Sequence, residues 1–375
     1  MSKRKASQAK TDIRKTPVAA TEAASQRRQF SLKDIAERVG VSINTVSLAL
    51  RNSPLVTKET ADRILEVAKE LRYRPNNLIR AIQTGHSGLV GVVMKPNNEW
   101  TTQMLLGIHE GLQEKGLLPL MDWLPSHFDR PAKPGERTEL EVIHNLIDHR
   151  VDGMIVYPSN DQVADVYFNE VWERGIPLVT IDRLATQTHA DFVGTDELVG
   201  GRTAAEHLLA LGHRQIAHIA GYQGYGTYAK RRKVFEKIIR ESGASCKIVE
   251  VGPYESSDRA VQELFKGGRY PTAIFLADDS FAPAVYQVAT EKGLNIPDDL
   301  SVIGYGGLSW SRLVNPPLTT IRQDPWKMGV EAARIIIERL DNPNNHSQDI
   351  VSRQVRLIPK LEICSSTAAC KKPKK

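Results

Sequence analysis

Asn44, Thr45 and Ser47 lie within four positions of one another, and the stretch from Val41 to Leu50 holds no acidic residue. Short uncharged side chains of this kind can hydrogen-bond base edges or phosphate oxygens. The elements that must position them are legible on either side. Leu32, Ile35, Ala36 and Val39 fall at helical spacing. Ser31 with Asp34 three residues on forms a capping-box pattern. Gly40 suits a helix C-terminus, Ser42 suits the N-cap of a second helix, and Val46, Ala49 and Leu50 can pack back on the first. Two packed helices that leave a polar, acid-free face outward have the geometry that enters a DNA major groove. An ordinary helical hairpin shares the pattern, so the rest of the chain decides.

Other chemistry is poorly represented. The sequence has no G-x-S-x-G elbow, no Walker A segment and no G-x-G-x-x-G after a strand. GYQGYG (221–226) has the wrong glycine spacing for a dinucleotide loop. His144 and His149 are five apart without a ligand set, and Cys246, Cys364 and Cys370 lack metal-binding or disulfide-framework spacing. No enzymatic activity, metal or cofactor is expected.

With 375 residues, 41% hydrophobic and 25% charged, the chain reads as a globular protein of two or three domains. No apolar run is long enough to cross a bilayer, and the basic N-terminus lacks a signal-peptide h-region, so a cytoplasmic location is expected. Charge is placed unevenly. Residues 1–29 hold eight Lys/Arg (Lys3, Arg4, Lys5, Lys10, Arg14, Lys15, Arg27, Arg28) against Asp12 and Glu22. The sequence ends on KKPKK, and the body between the basic ends is acidic. That distribution suits contact with a polyanion through the N-terminal part.

Residues 1–29 lack hydrophobic periodicity and are expected to be a disordered basic tail. A third helix follows the pair, capped by Thr57 with Ile64, Ala68 and Leu71 as its apolar stripe, giving an all-α headpiece over 30–74. Pro75 interrupts, and NNLIRAIQTG reads as a short helix within a linker at 75–86, too short to be stable alone. From Leu89 the texture changes to strand-like runs alternating with amphipathic helices: LVGVVM, LLPLMD, GMIVY, PLVTID, QIAHIA, KIVEV, TAIFLA and SVIGY. Glu-Lys-Gly-Leu at 114–117 and 291–294, and Glu-Arg-Gly-Ile at 173–176, mark recurring helix ends. About eight βα units exceed one open sheet. The expected fold is therefore an α/β core of two doubly wound parallel-sheet lobes with a ligand cleft between them.

The chain resembles the lactose repressor and galactose repressor family of bacterial transcription regulators over about residues 31–367. The resemblance rests on LKDIAERVGVSINTVSLALRN and TKETADRILEVAKELRYRPN, with IPLVTIDR, LLALGHRQIAHIAG, PTAIFLADD, GLNIPDDLSVIGY and NPPLTTIRQD in the core. It implies a helix-turn-helix headpiece, a hinge helix, and a periplasmic-binding-protein-like core (87–367) that forms a homodimer. The partners it implies are double-stranded operator DNA and a small effector, often a sugar or nucleobase, held between the lobes. The N-lobe is expected at about 87–221 plus 323–350, the C-lobe at about 222–322 plus 351–367, and a basic tail at 368–375.

By the same resemblance, Ile43 and Asn44 stand where the family reads base edges, and Ser31, Ser42, Thr45 and Ser47 stand at phosphate-positioning sites. Leu48 replaces an arginine, removing a guanine contact, and Arg51 replaces an asparagine. Ile82 matches the hinge leucine that wedges into the minor groove. For the effector, the resemblance points to Trp100, Arg231, Tyr254 and Asp279. Removing Arg231 or Asp279 is then expected to abolish the effector response and spare the fold. Tyr305-Gly306-Gly307 replaces an acidic segment, and TTIRQ (319–323) matches a crossover between lobes.

Overall fold

The computed structural model describes residues 30–51, 53–73, 85–123, 133–159, 164–184, 190–253, 255–267, 270–342 and 352–371. Two compact units divide the chain, residues 1–77 and 78–375. The expected tail 1–29, the hinge helix with Ile82, and Tyr254 lie outside the described residues.

In the first unit, α1 (Leu32–Val39), α2 (Ile43–Leu50) and α3 (Lys58–Glu70) follow the spacing of their apolar residues. Ser31 and Asp34 form a reciprocal capping box at the start of α1. Gly40 ends that helix at φ 77°, a left-handed conformation in which a β-carbon would be strained. Ser42 and Thr57 accept backbone hydrogen bonds at the starts of α2 and α3. Ile35, Val39, Val46, Ala49, Ile64, Ala68 and Leu71 interlock as the core. Each large aliphatic buried there contributes about 1.5–3 kcal/mol, which offsets the poor stability of eight-residue helices.

The second unit holds two six-stranded sheets. The first runs β2 (Leu118–Asp122), β1 (Leu89–Val93), β3 (Gly153–Val156), β4 (Leu178–Ile181), β5 (Asp191–Thr195), β11 (Gln354–Leu357), all parallel. The other runs β7 (Ser245–Glu250), β6 (Gln215–Ala220), β8 (Ala273–Leu276), β9 (Ser301–Gly306), β10 (Thr319–Arg322), with β12 (Lys360–Glu362) antiparallel at its edge. Their inner strands are largely apolar on both faces because both faces are covered. Val92 and Ile155 join a cluster with α4 (Glu99–Gln113) and α11 (Pro325–Asp341), whereas Val93, Met154 and Val156 join α5 (Glu139–Asp148) and α6 (Ala164–Glu173). In the second lobe, Ala273 and Phe275 face α7 (Glu197–Ala210) and α8 (Gly226–Glu241). Ile274 and Leu276 face α9 (Asp258–Leu264) and α10 (Ala282–Glu291). Helices α4 and α11 approach so closely that a β-carbon on Gly107 would overlap the Trp326 carbonyl, and one on Gly329 the Met104 carbonyl. No helix among the described residues is long and apolar enough to cross a membrane.

The lobe boundaries differ from those expected. β6 belongs to the second sheet, beside β7 and β8, so the first lobe does not extend to 221. Its last strand before the crossover is β5, DFVGT, which the apolar runs did not flag. β11 closes the first sheet beside β5, so 351–367 is divided between the lobes and is not wholly C-lobe. The chain thus crosses three times, between β5 and α7, between β10 and α11, and between β11 and β12. Residues 368–371, expected as a tail, are docked. Ala368 accepts from His213 Nε2 (3.1 Å), and the Cys370 N–H donates to the Leu211 carbonyl (2.7 Å).

Candidate DNA-reading helix and interlobe cleft

On α2 the apolar contacts of Val46 and Ala49 with the headpiece core fix which side faces out. Asn44 is exposed and Ile43 is 48% exposed. Arg51 is also exposed, while Thr45, Ser47 and Leu48 are half-buried. Ser42 Oγ accepts the Thr45 N–H (3.0 Å), and the two hydroxyls lie 2.8 Å apart. Ser31 donates from its hydroxyl to Asp34 (2.6 Å). Both serines are therefore helix caps, and the acid-free α2 presents its positive dipole end beside exposed Ile43 and Asn44.

The core's cleft lies where the topology predicts it, outside the carboxyl ends of the strands at the point where strand order reverses. That point is β1/β3 in one lobe and β6/β8 in the other. A cavity of about 470 Å³ occupies it. After β1 come Asn97, Asn98 and Trp100; after β3, Tyr157; after β4, Asp182 and Arg183. The facing wall supplies Tyr225 and Tyr228 after β6, Asp278 after β8, and Tyr305, Gly306 and Leu308 around the end of β9. Trp100 packs on Tyr157 with ring centroids 5.9 Å apart, and its indole N–H has no acceptor among the described residues.

Arg183 spans the cleft. Its guanidinium lies 3.6 Å from the Tyr225 ring centroid and donates to the Ser159 carbonyl (2.6 Å). Asp182 just before it holds φ 63°, a left-handed conformation aspartate tolerates better than most, so the turn itself aims Arg183. A second bridge is Glu99, which accepts from the Ser309 hydroxyl (2.8 Å) and backbone N–H (3.1 Å). At the crossovers Gln323 donates to Thr195 (2.8 Å).

Arg231 reaches the cavity wall but is already committed. Its Nε and Nη2 both donate to Glu197, Nη2 at 3.0 Å, and Nη1 donates to the Ala277 carbonyl (2.6 Å). Tyr305 donates to the same carboxylate (2.7 Å), and its ring lies 3.6 Å beneath the guanidinium. Burial pulls the Arg231 pKa down, but the Glu197 charge and hydrogen bonds, together with the Tyr305 and Tyr228 hydroxyls, hold it well above the usual value. Burial likewise pushes the Tyr228 and Tyr305 hydroxyls well up, so both stay neutral donors.

Asp279 is not a cavity residue, contrary to expectation. It is fully buried, taking the Thr320 hydroxyl (2.7 Å) on one oxygen and the Gly307 and Leu308 N–H groups (2.7 and 3.1 Å) on the other. Burial pushes its pKa up to about 6, against the lowering effect of the Thr320 hydrogen bond. Its neighbour Asp278 faces the cavity, accepting from Ser280 N–H (2.9 Å) and Tyr228 hydroxyl (3.3 Å). Trp100 and Arg231 line the cavity, together with Asp278, Arg183 and Tyr225, which the sequence reading did not single out, and Glu197 behind the wall holds Arg231. The Ala-Asp-Asp signal named the right turn, but adjacent residues leave a strand end in opposite directions and sequence does not say which faces the ligand.

Residues 31–76 match the family described as bacterial regulatory proteins, lacI family, and residues 205–361 match the periplasmic binding protein-like domain. The HTH-type transcriptional repressor PurR of Haemophilus influenzae is 28% identical over 342 residues, covering 90% of this chain and 98% of its own length. The ribose operon repressor of the same species is 26% identical over 328 residues, 86% of this chain and 95% of its own. Among solved structures, the Lac repressor dimer bound to operator and the anti-inducer ONPF is similar with a TM-score of 0.78 and 26% identity. That likeness covers 91% of this chain and all of the other.

Proposed function

Because the chain carries the DNA-binding domain of the lacI family of bacterial regulators and a periplasmic-binding-protein-like core, we infer that it is a sequence-specific transcriptional repressor. It works in the cytoplasm as a homodimer on operator DNA. A small-molecule effector, a sugar or related metabolite, binds between the lobes and changes operator affinity. The single observation that carries this reading is the cleft itself: an aromatic-walled cavity at the strand-order reversal of both sheets, in a chain that also bears an acid-free, outward-facing helix. A ligand held by both walls prefers one arrangement of the lobes and shifts the DNA-binding equilibrium by that preference.

In this reading Asn44 pairs with a base, Ile43 meets a thymine methyl, and Ser31, Ser42, Thr45, Ser47 and Arg51 hold the headpiece on phosphates. Leu48 makes an apolar contact where the family's arginine would seek guanine, and Ile82 wedges into the minor groove. Trp100 and Arg231 line the effector site, and Tyr254 belongs to it. The test is selection from random duplexes with footprinting, followed by Asn44→Ala. A pseudo-palindromic site is expected. The variant should lose about 1–3 kcal/mol and relax preference at one symmetric pair of positions. Recovery of single asymmetric half-sites defeats the dimeric reading, and a loss equal for all sequences removes Asn44 from base reading.

A further inference from the structure

We propose that Asp152 is a positioning residue for DNA binding: its carboxylate fixes the direction in which the chain leaves the core towards the headpiece. The proposal rests on the repressor reading above and assigns one residue to the transmission between core and operator.

The sequence places the connection from the headpiece at 75–86, and Ser87 is the first residue after it. Asp152 takes hold there. One carboxylate oxygen accepts from the Ser87 N–H (2.8 Å) and hydroxyl (3.1 Å), the other from the Gly88 N–H (2.7 Å). The Ser87 hydroxyl oxygen in turn accepts the Leu89 N–H (3.0 Å). Gly88 holds φ 75°, a left-handed turn suited to glycine, and that turn brings two successive N–H groups to one side chain. The Gly88 carbonyl accepts from the N–H of Leu118 at the start of β2 (2.9 Å), and the Leu89 carbonyl from the Asp152 N–H (2.8 Å). The parallel ladder between β1 and β3 starts at Val90 and Gly153. The carboxylate bonds thus grip the chain ahead of β1, where that ladder no longer reaches.

The same anchor is tied to the cleft. Ser87 to Leu89 sit at the base of β1 and Asp152 at the base of β3, the two strands between which the order of the first sheet reverses. At their other ends these strands lead to Asn97, Trp100 and Tyr157 in the cavity wall. Val92, Val93, Ile155 and Val156 between the two ends are fully buried. Close-packed strands transmit a displacement instead of absorbing it, so a shift of the wall moves Asp152 and the chain exit with it. Without the carboxylate, Ser87 and Gly88 lose the bonds that fix them and must be ordered again whenever the headpiece docks. Ordering one backbone residue lowers an equilibrium constant by about five- to thirtyfold, and a dimer bears that on both subunits.

The experiment compares full-length wild type, Asp152→Ala, Asp152→Asn and Ile155→Val. Each is titrated with the duplex that wild type selects from a random pool, and amide exchange is followed on the free protein. Asp152→Ala should bind that duplex at least about tenfold more weakly. Asp152→Asn keeps an oxygen for Ser87 but turns an amide on the Gly88 N–H, and should fall between. Ile155→Val removes a methyl from the strand that Asp152 opens, which lowers core stability. It should leave operator affinity as in wild type, which separates positioning from general destabilisation. The Gly88 amide should exchange faster in both Asp152 variants than in Ile155→Val. Wild-type affinity in both Asp152 variants overturns the proposal and leaves the repressor reading standing, as does an equal loss in Ile155→Val. If Asp152→Ala does not fold, Asp152→Asn carries the same test. If wild type selects no duplex, the repressor reading fails and this role falls with it, whatever the Gly88 exchange shows.

Discussion

Arg231→Ala should unfold the second lobe more readily, not merely deafen the protein to its effector as sequence alone implied. The guanidinium makes three charge-assisted hydrogen bonds and a ring contact at 3.6 Å, all buried. Such bonds are worth roughly 1.5–3 kcal/mol each, but their sum overstates the effect, because burying a guanidinium is itself costly. What decides the cost is what remains. Glu197, 3% exposed, would keep only the Tyr305 hydroxyl at 2.7 Å. Removing one partner of a buried ion pair costs about 3–5 kcal/mol. Urea unfolding followed by tryptophan fluorescence suits the measurement, since all five tryptophans lie beyond residue 77 and report on the second unit alone. The companion variant Glu197→Leu/Arg231→Met should recover to within about 1 kcal/mol of wild type, because matched apolar pairs often replace buried ion pairs without loss. A single variant within about 1 kcal/mol of wild type, or a double variant as unstable as the single, refutes the reasoning.

Three further outcomes are expected. Asp279 is protonated more readily in the folded state, with a pKa pushed up to about 6, so its contribution to stability is present below about pH 4 and is lost as pH rises through 6. Relative to Asp279→Asn, wild type should lose up to about 3 kcal/mol between pH 4 and 7, and a difference independent of pH counts against the assignment. Gly107→Ala forces a β-carbon into the Trp326 carbonyl and should cost about 1–3 kcal/mol or more of first-lobe stability by urea titration, with an unperturbed variant contradicting the close approach of the two helices. Deleting residues 1–28, with their eight basic groups, should weaken operator binding without changing site preference. It should also make the slope of log K against log salt shallower by about 0.9 for each phosphate no longer neutralised, and an unchanged slope would make the segment a bystander.

The alternation of apolar runs exposed the two-lobed α/β plan because parallel strands buried on both faces are written as uninterrupted Val, Ile and Leu. The strands it missed have physical reasons. β5 opens on Asp191, whose side-chain partner is Arg339, 148 residues away (2.8 and 2.7 Å). β11 and β12 are short, half-exposed edge strands carrying Arg356, Lys360 and Glu362. In the headpiece, caps and apolar spacing are local, and Ser31, Gly40, Ser42 and Thr57 all act where the sequence puts them. The cleft is not local. Glu197 and Arg231 become partners only through the packing of α7 on α8, and nothing in the spacing of either residue announces that bond.

The two edge strands that close the sheets also govern how the protein can be made. β5 gains its outer neighbour only from residues 354–357, β10 only from residues 360–362, and α4 is covered by α11 at 325–341. A nascent chain leaving the ribosome therefore carries two sheets each lacking an edge strand until residues 354–362 emerge, each with an open edge able to pair with a neighbour. Neither lobe can mature ahead of the other, although the first is encoded almost entirely upstream. Ribosomes that stall short of residue 354 should accordingly yield aggregating fragments and chaperone clients, not a free-standing first lobe.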